Sequence, residues 1–393
     1  MSAPPFEDLA RQLSGRAAAP FGLRLRLEEL TLSVRSNSAA IIDDLRRYFA
    51  PFIVEDSGGA NLDFLFLDGP AETPPVELAV RPHLPGKKPD KERCADLAGL
   101  GLAAGGGRVV RKQATGMLFV FGHADGQSAS GSVNIAVGPC AQNRNQLVNF
   151  LCARYMERRV AQGWILGHAS GVVKGALGLA LCGFAGMGKS TLALHLVAQG
   201  CDFLSNDRVL VEPKTQARPV LHGIPKHPRL NPGTALGNPD LAPLLACALP
   251  PGLRRAYAAL PPAALYAVED KFDAVIGECF GAADELADAA TSMKNAKGSR
   301  FRLAAPLSGL AVLNWRHGGG PMQARRVDLA SRPDLLEAFR KPPGAFYLPQ
   351  ALETARLTAS ECLEALSGVP VLELFGGSDF EAGTTACLKL LEE

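Results

Sequence analysis

One stretch constrains this chain more than any other: LGLALCGFAGMGKSTLALHLVAQGCDFLSND, from Leu177 to Asp207. An apolar run ends in a glycine-rich loop that reads G-x-x-x-x-G-K-S from Gly183 to Ser190. A segment with helical spacing follows, closes on Gly200, and gives way to a short apolar run ending in Asn206 and Asp207. The spacer Phe184, Ala185, Gly186 and Met187, between Gly183 and Gly188, lets backbone N–H groups turn inward around phosphate oxygens. Gly186 and Gly188 permit backbone conformations that a side chain forbids, and Lys189 has the length to reach β- and γ-phosphates. Ser190 is placed to ligate Mg²⁺, at the positive end of the helix that begins there. A strand before the loop and a helix after it are the context this pattern requires. The expectation is a nucleotide-binding loop.

The bulk of the chain limits the alternatives. At 393 residues and 47% hydrophobic, it can bury a sizeable core in more than one domain. A net charge of +2 gives no electrostatic case for a nucleic-acid or anionic-membrane partner. Nine cysteines are scattered with no C-x-x-C pair, which reads as reduced thiols. The opening MSAPPFEDLARQLSGR lacks the apolar core of a secretory signal, and no run approaches a membrane span. The expectation is a cytoplasmic protein.

Before the loop, helical spacing marks residues 6–14 and Ala39 to Phe49, and alternation from Leu23 to Val34 predicts one interrupted strand. NLDFLFLD supplies another strand, and Gly107–Lys112 with Gly116–Gly122 a hairpin. Pro70 to Gly107 reads as a mobile loop, and Gln146 to Gln162 as a long amphipathic helix. Phe64–Asp68 has the look of a metal-binding strand end, but it precedes the glycine loop by over a hundred residues and reads as structural. The chain is divided into an N-terminal α+β domain, 1–155, and a nucleotide-binding α/β domain, 156–393. Short strands crowd the loop: Trp164 to Lys174 before it, Cys201–Ser205 after it, then a Val209–Glu212/Pro219–Gly223 hairpin. That crowding predicts a mixed sheet with antiparallel pairs. Later come a helix at Pro333–Phe339, a second near 351–367 and a strand at Val369–Phe375, with Trp315 and Phe346 in the core.

Phosphoryl transfer needs phosphate clamps, metal ligands and a group that accepts the proton of the attacking hydroxyl. Asp207, seventeen residues after Ser190, is the candidate for the third role and for the metal. Its strand is expected directly beside the strand that feeds the loop. Asn206 offers an amide oxygen to a metal but is no base, and Arg208 reads either as a phosphate clamp or as a partner of Asp207. Lys226, Arg229 and Asn231 read as solvated surface ahead of the alternative, the lining of an acceptor pocket, and the basic run with Lys294, Lys297, Arg300 and Arg302 reads as solvated ahead of a segment that closes on ATP or recruits an acidic partner.

HASGV at 168–172, GFAGMGKSTLALHL at the loop and GCDFLSNDRVLV after it resemble the catalytic domain of HPr kinase/phosphorylase. That family is related in its nucleotide core to phosphoenolpyruvate carboxykinase. GIPKHPRLNPGT (223–234), VEDKFDAVIGECFG (268–281), LNW (313–315) and KPPGAF (341–346) extend the resemblance toward the bacterial HPr-kinase-related kinase B group. The resemblance implies phosphate binding at Gly183–Thr191, so that Thr191 joins the site. It also implies a phosphate clamp at Lys189, metal at Ser190 and Asp207, a histidine near the phosphates at His168, and oligomers. Two departures stand out. Asn206 occupies the place of the family's first aspartate, and PVLHGIP at 219–225 lacks its metal-binding glutamate, for which Glu269 or Asp270 are the candidates to compensate. The expectation is an ATP- and Mg²⁺-dependent kinase with a hydroxyl acceptor, a protein serine. A small-molecule kinase and a silent nucleotide-binding regulator are the alternatives.

Overall fold

The computed structural model describes residues 5–56, 58–81, 91–98, 106–123, 132–213, 218–236, 249, 251–261, 264–265, 268, 271–280, 300–316, 318–353, 355 and 358–392. They form two compact units, Met1–Arg158 with Pro343–Glu353, and Arg159–Pro342 with Thr354–Glu393. The return of Pro343–Glu353 to the first unit is a feature that an uninterrupted 156–393 domain does not contain. Both units are mixed α/β.

The first unit is built on a sheet of order β1-β2-β3-β8-β7-β6-β5-β4. Its strands are β1 (Phe21–Leu27), β2 (Leu30–Ser36), β3 (Leu62–Asp68), β4 (Ala79–Val80), β5 (Glu92–Leu97), β6 (Gly107–Lys112), β7 (Leu118–His123) and β8 (Ser132–Gly138). The alternating run expected as one strand is the β1/β2 hairpin, turned at Glu28, whose φ of 58° lies in the left-handed region. Alternation alone does not distinguish a strand with an interruption from two strands folded on each other. The Pro70–Gly107 segment, expected as a loop, carries β4 and β5. In β5 the pairing is read in charge, with Glu92 opposite Lys112 in the register and bonded to both Lys112 and Arg81.

The faces of this sheet follow from strand alternation. Leu65, Leu67, Leu118 and Val120 form one core with Phe6, Leu9 and Leu13 of α1 (Phe6–Ser14). Phe64, Phe119 and Phe121 point the other way and meet Phe150 of α3 (Arg144–Val160), together with Phe346. Between them α2 (Ala39–Tyr48) makes the crossover that leaves β2 and β3 parallel. Arg154, buried in this aromatic layer, donates Nε to Asn134 Oδ1 at 2.8 Å and pairs with Glu157. Asp68 accepts a hydrogen bond from the Ala141 N–H at 2.9 Å, the structural role expected for it.

The second unit holds the glycine loop. Its strands are β9 (Ile165–Gly167), β10 (Ala169–Lys174), β11 (Leu177–Gly183), β12 (Asp202–Ser205), β13 (Val209–Glu212), β14 (Val220–His222), β15 (Arg229–Leu230), β16 (Phe272–Asp273), β17 (Ala304–Arg316), β18 (Met322–Arg326) and β19 (Val371–Gly377). β11 runs parallel to β17, and β17 parallel to β19, while β10/β11, β10/β12 and β18/β19 are antiparallel. The sheet is mixed, with the antiparallel pairs expected. At the start of β17, Ala304–Pro306 pair instead with β14, which continues to β13 and β9. Helices α4 (Lys189–Ala198), α5 (Pro333–Phe339) and α6 (Phe380–Glu392) are the longest of this unit's helices that bear on the site.

Four expectations are corrected here. β12 does not lie beside β11: β10 stands between them. The short turn at Lys174–Gly175 returns β10 directly onto β11 and takes that position first. The proline loop after β14 is not solvated surface either. Arg229 pairs with Asp273 at 3.3 Å in the β15/β16 ladder, and His227 and Leu230 are buried. Arg300 and Arg302 are likewise structural. Arg300 donates to the Val197 and Cys201 carbonyls at the C-terminal end of α4, and Arg302 pairs with Asp202 at 2.7 Å. Lys294, Lys297, Glu269 and Asp270 lie outside the described residues. Cys279 is disulfide-bonded, against the expectation of uniformly reduced thiols. An odd count leaves one thiol over but does not forbid a bridge.

Candidate functional site

The apolar sequence of β11 buries it completely from Gly178 onward, and its end delivers the loop to the N-terminus of α4. Gly186 and Gly188 have φ of 83° and 81°, the left-handed conformations that require glycine. Gly188 also has no room for a side chain, since a Cβ there would stand 2.6 Å from the Phe380 ring. The indole N–H of Trp315, in β17, bonds the Met187 carbonyl at 2.8 Å. Trp315 is core, as expected, and it also braces the loop. Phe184 stands out from the loop, 44% exposed.

Lys189 is the first residue of α4 and is buried. Its ammonium donates to the carbonyls of Gly183 at 2.8 Å and Phe184 at 3.2 Å. Burial lowers its pKa, and the charge of Asp207 works in the opposite sense. Ser190 donates its hydroxyl to Asn206 Oδ1 at 2.7 Å. The same amide oxygen accepts from Ser170 Oγ, in β10, at 3.0 Å. The strand that separates β12 from β11 thus contributes a contact of its own, and Asn206 joins both sides.

Asp207 follows with a φ of 67°. His168 Nε2 lies 3.3 Å from its Oδ1, Lys341 Nζ lies 3.0 and 3.3 Å from its two oxygens, and Arg208 Nε lies 3.7 Å from Oδ2. Burial alone would raise the Asp207 pKa. The His168 hydrogen bond and the Lys341 and Arg208 charges outweigh it and hold the carboxyl well below the usual range. Half of this side chain is nonetheless reached by solvent, so the surrounding charges, screened as they are, set its state more than desolvation does. For His168 the balance is the reverse. Burial lowers its pKa, the Asp207 bond opposes, and the positive charges of Lys189 and Lys341 lower it further.

The structure therefore brings His168, Lys189, Ser190, Asn206 and Asp207 into one chain of contacts and electrostatic coupling. It adds Ser170 and Lys341, and it sets Arg208 beside Asp207, the partner reading of that residue. Lys341 lies 134 residues from Asp207 in sequence, and only its membership of the KPPGAF segment marked it. Its position is built: the His168 N–H donates to the Phe339 carbonyl at 2.6 Å, and Gly167 forms a β-bridge with Arg340. Gly167 permits that approach, because a Cβ there would stand 2.4 Å from the Phe339 ring.

The donor set can be weighed against Mg²⁺, which takes hard oxygen ligands and keeps several waters. Ser190 Oγ and Asn206 Oδ1 are such oxygens, already side by side, with the Asp207 carboxylate on the next residue. Among the described residues no group of three or more His, Cys, Asp or Glu forms a self-sufficient metal site. The set fits an ion whose remaining ligands are phosphate and water.

No family model matches the chain, and no curated protein does. Among solved structures, the Hpr(Ser) kinase/phosphatase from Coxiella burnetii is similar over 58% of this chain and 93% of that one, at 11% identity and a TM-score of 0.25. A likeness of that size carries no argument about the site. Among the described residues no helix is long and apolar enough to cross a membrane.

Proposed function

We propose that this protein is an ATP- and Mg²⁺-dependent phosphotransferase acting on a hydroxyl acceptor, with a protein serine as the acceptor class. The observation that carries the reading is the Ser190–Asn206 contact at 2.7 Å. It ties the first turn of the helix after the glycine loop to the turn that bears Asp207.

Each residue then has a task. The loop N–H groups and Lys189 bind phosphate oxygens, which replace the Gly183 and Phe184 carbonyls as partners of the ammonium. Ser190 and Asn206 hold Mg²⁺, whose contribution when bound is to neutralise charge on the phosphates. Asp207, fixed on its carboxylate by three basic side chains, orients the acceptor hydroxyl. Its depressed pKa makes it a poor proton acceptor until late in transfer, and phosphoryl transfer asks little more of a base. His168, held neutral by its surroundings, keeps that carboxylate in place.

The test is calorimetry with Mg²⁺·ATP on the wild type and on Lys189→Ala, followed by transfer from γ-labelled ATP. Binding that the variant loses, with label on a protein band, is the expected result. Label confined to a soluble product assigns a small-molecule acceptor. Tight binding without turnover assigns a regulator, for which Asn206 in place of a carboxylate is the motivating residue. Absence of nucleotide binding overturns the proposal.

A further inference from the structure

Asn206, Asp207 and Arg208 join β12 to β13, and Asp207 takes a left-handed backbone there, with φ 67°. That conformation costs a non-glycine residue energy and has to be imposed by its surroundings. Among the described residues no backbone hydrogen bond crosses this turn from Ser205 to Arg208. A side chain crosses it instead. The Ser205 hydroxyl donates to the Arg208 carbonyl, and the same oxygen accepts the Ile224 N–H at 3.0 Å. With its oxygen engaged by that N–H, the single proton of the hydroxyl is directed at Arg208. Ser205 is fully buried and Ile224 is 2% exposed, so the junction is dry. It is also held from outside. The Gly223 N–H donates to the Leu303 carbonyl at 2.7 Å, and a Cβ at Gly223 would stand 2.2 Å from the Leu204 carbonyl oxygen. Only glycine lets the two segments come that close. A serine needed merely to satisfy the buried Ile224 N–H would not require the second bond, to Arg208. That second bond shapes the turn that sets Asn206 on Ser170 and Ser190 and carries Asp207. The glycine loop has different supports, Trp315 on Met187 and Phe380 against Gly188.

We propose that Ser205 is a positioning residue of this site: its hydroxyl sets the Asn206–Asp207 turn, and with it the oxygens offered to Mg²⁺ and to the acceptor, without acting on the phosphate loop. Ser205 works through Asn206 and Asp207 and contacts no reacting group itself. The inference rests on the phosphotransfer reading and deepens it. It divides the site into a phosphate-binding part and a metal-and-acceptor part, each with its own support, and it places the support of the second part on Gly223–Ile224.

The experiment uses the full chain as wild type, Ser205→Ala, Ser205→Cys and Ser205→Thr. Cysteine fills the space of serine with only a weak donor, and threonine keeps the hydroxyl. The first readout needs no nucleotide: the backbone carbon shifts of Asp207 by NMR, which separate a left-handed residue from an extended one. Ser205→Ala and Ser205→Cys should move them off the left-handed values, and Ser205→Thr should keep them there. The second readout is the affinity for a non-hydrolysable β,γ-imido ATP analogue with and without Mg²⁺. The gain in affinity that Mg²⁺ brings should fall by about fivefold or more in Ser205→Ala and Ser205→Cys, the worth of one ordinary hydrogen bond. Metal-free affinity should stay within about twofold, which also shows that the variants are folded at the loop, and Ser205→Thr should restore most of the gain. Unchanged carbon shifts in the alanine and cysteine variants overturn the inference and leave the nucleotide reading standing. Shifts that move while the Mg²⁺ gain does not, or equal loss with and without the metal, overturn it too. A wild type that binds no nucleotide overturns the phosphotransfer reading, and the carbon shifts still decide whether Ser205 sets the turn.

Discussion

Trp315 donates its indole N–H to the Met187 carbonyl at 2.8 Å, so a residue of β17 fixes the glycine loop from the sheet side. The ring also stacks edge-on against Phe380, whose own edge leaves Gly188 no room for a Cβ. Replacing Trp315 with Phe keeps an aromatic ring and removes the donor. The expected cost is about 1 kcal/mol of stability, with a several-fold loss of Mg²⁺·ATP affinity. Denaturant unfolding and calorimetry check the two effects separately, and a loss of stability with unchanged nucleotide affinity would remove the bracing role.

His168 supplies a pH dependence with a definite sign. Its folded pKa lies below its ordinary value, so the unfolded chain takes up the proton first as pH falls. The contribution of His168 to stability is complete above about pH 6.5 and is lost as pH drops through the folded value. His168→Gln should flatten the stability profile below about pH 6.5. Removing the Lys341 charge should raise the His168 pKa, which NMR titration of the ring reads directly. A downward shift in Lys341→Met contradicts the assignment.

Glu373 is the larger structural anchor. Its carboxylate, 1% exposed on β19, accepts from Asn314 of β17, Arg325 of β18 and Arg332 at the N-terminus of α5. Burial works to raise its pKa, and these bonds prevail and lower it to about 2. The stability it supplies is present above about pH 4.3 and is lost as pH falls through the folded value. Glu373→Gln should cost roughly 3 kcal/mol, since the basic partners stay behind without their counter-charge. A shift in urea midpoint well below that would show that the arginines find other partners.

Asn206 invites the converse substitution. Asn206→Asp keeps an oxygen for Ser170 and Ser190 and adds a carboxylate beside Ser190. The expected outcome is a several-fold gain in the Mg²⁺ dependence of nucleotide affinity, read by titrating nucleotide with and without the metal. Unchanged dependence would place the metal elsewhere.

Much of this site is readable in the chain, and the unreadable part has a common cause. The glycine loop, its helix and the Asn206–Asp207 turn are adjacent in sequence, and local rules for glycine, caps and short strands predict their form. The β13/β14 hairpin and the β10/β11 turn were legible for the same reason. The order of strands was not, because insertion of β10 between β11 and β12 depends on competition among pairings rather than on any one segment. β8 carries no clear strand signal, because Asn134, which accepts from Arg154, breaks its apolar pattern. Nothing local to α6 announces that its Phe380 packs against the loop. Lys341 is the sharpest case: a lysine before two prolines carries no local signal of a carboxylate 134 residues away.

The left-handed backbone of Asp207 bears on how any mutational scan of this turn is to be read. Aspartate, asparagine and glycine tolerate that conformation, whereas alanine meets a steric cost in it and a β-branched residue a greater one. An alanine at 207 therefore reports charge removal and backbone relaxation together, and the turn that relaxes also holds Asn206 on Ser190. Asparagine is the substitution that isolates the charge, and glycine the one that isolates the side chain. A defect shared by alanine and asparagine belongs to the carboxylate; one seen with alanine alone belongs to the turn.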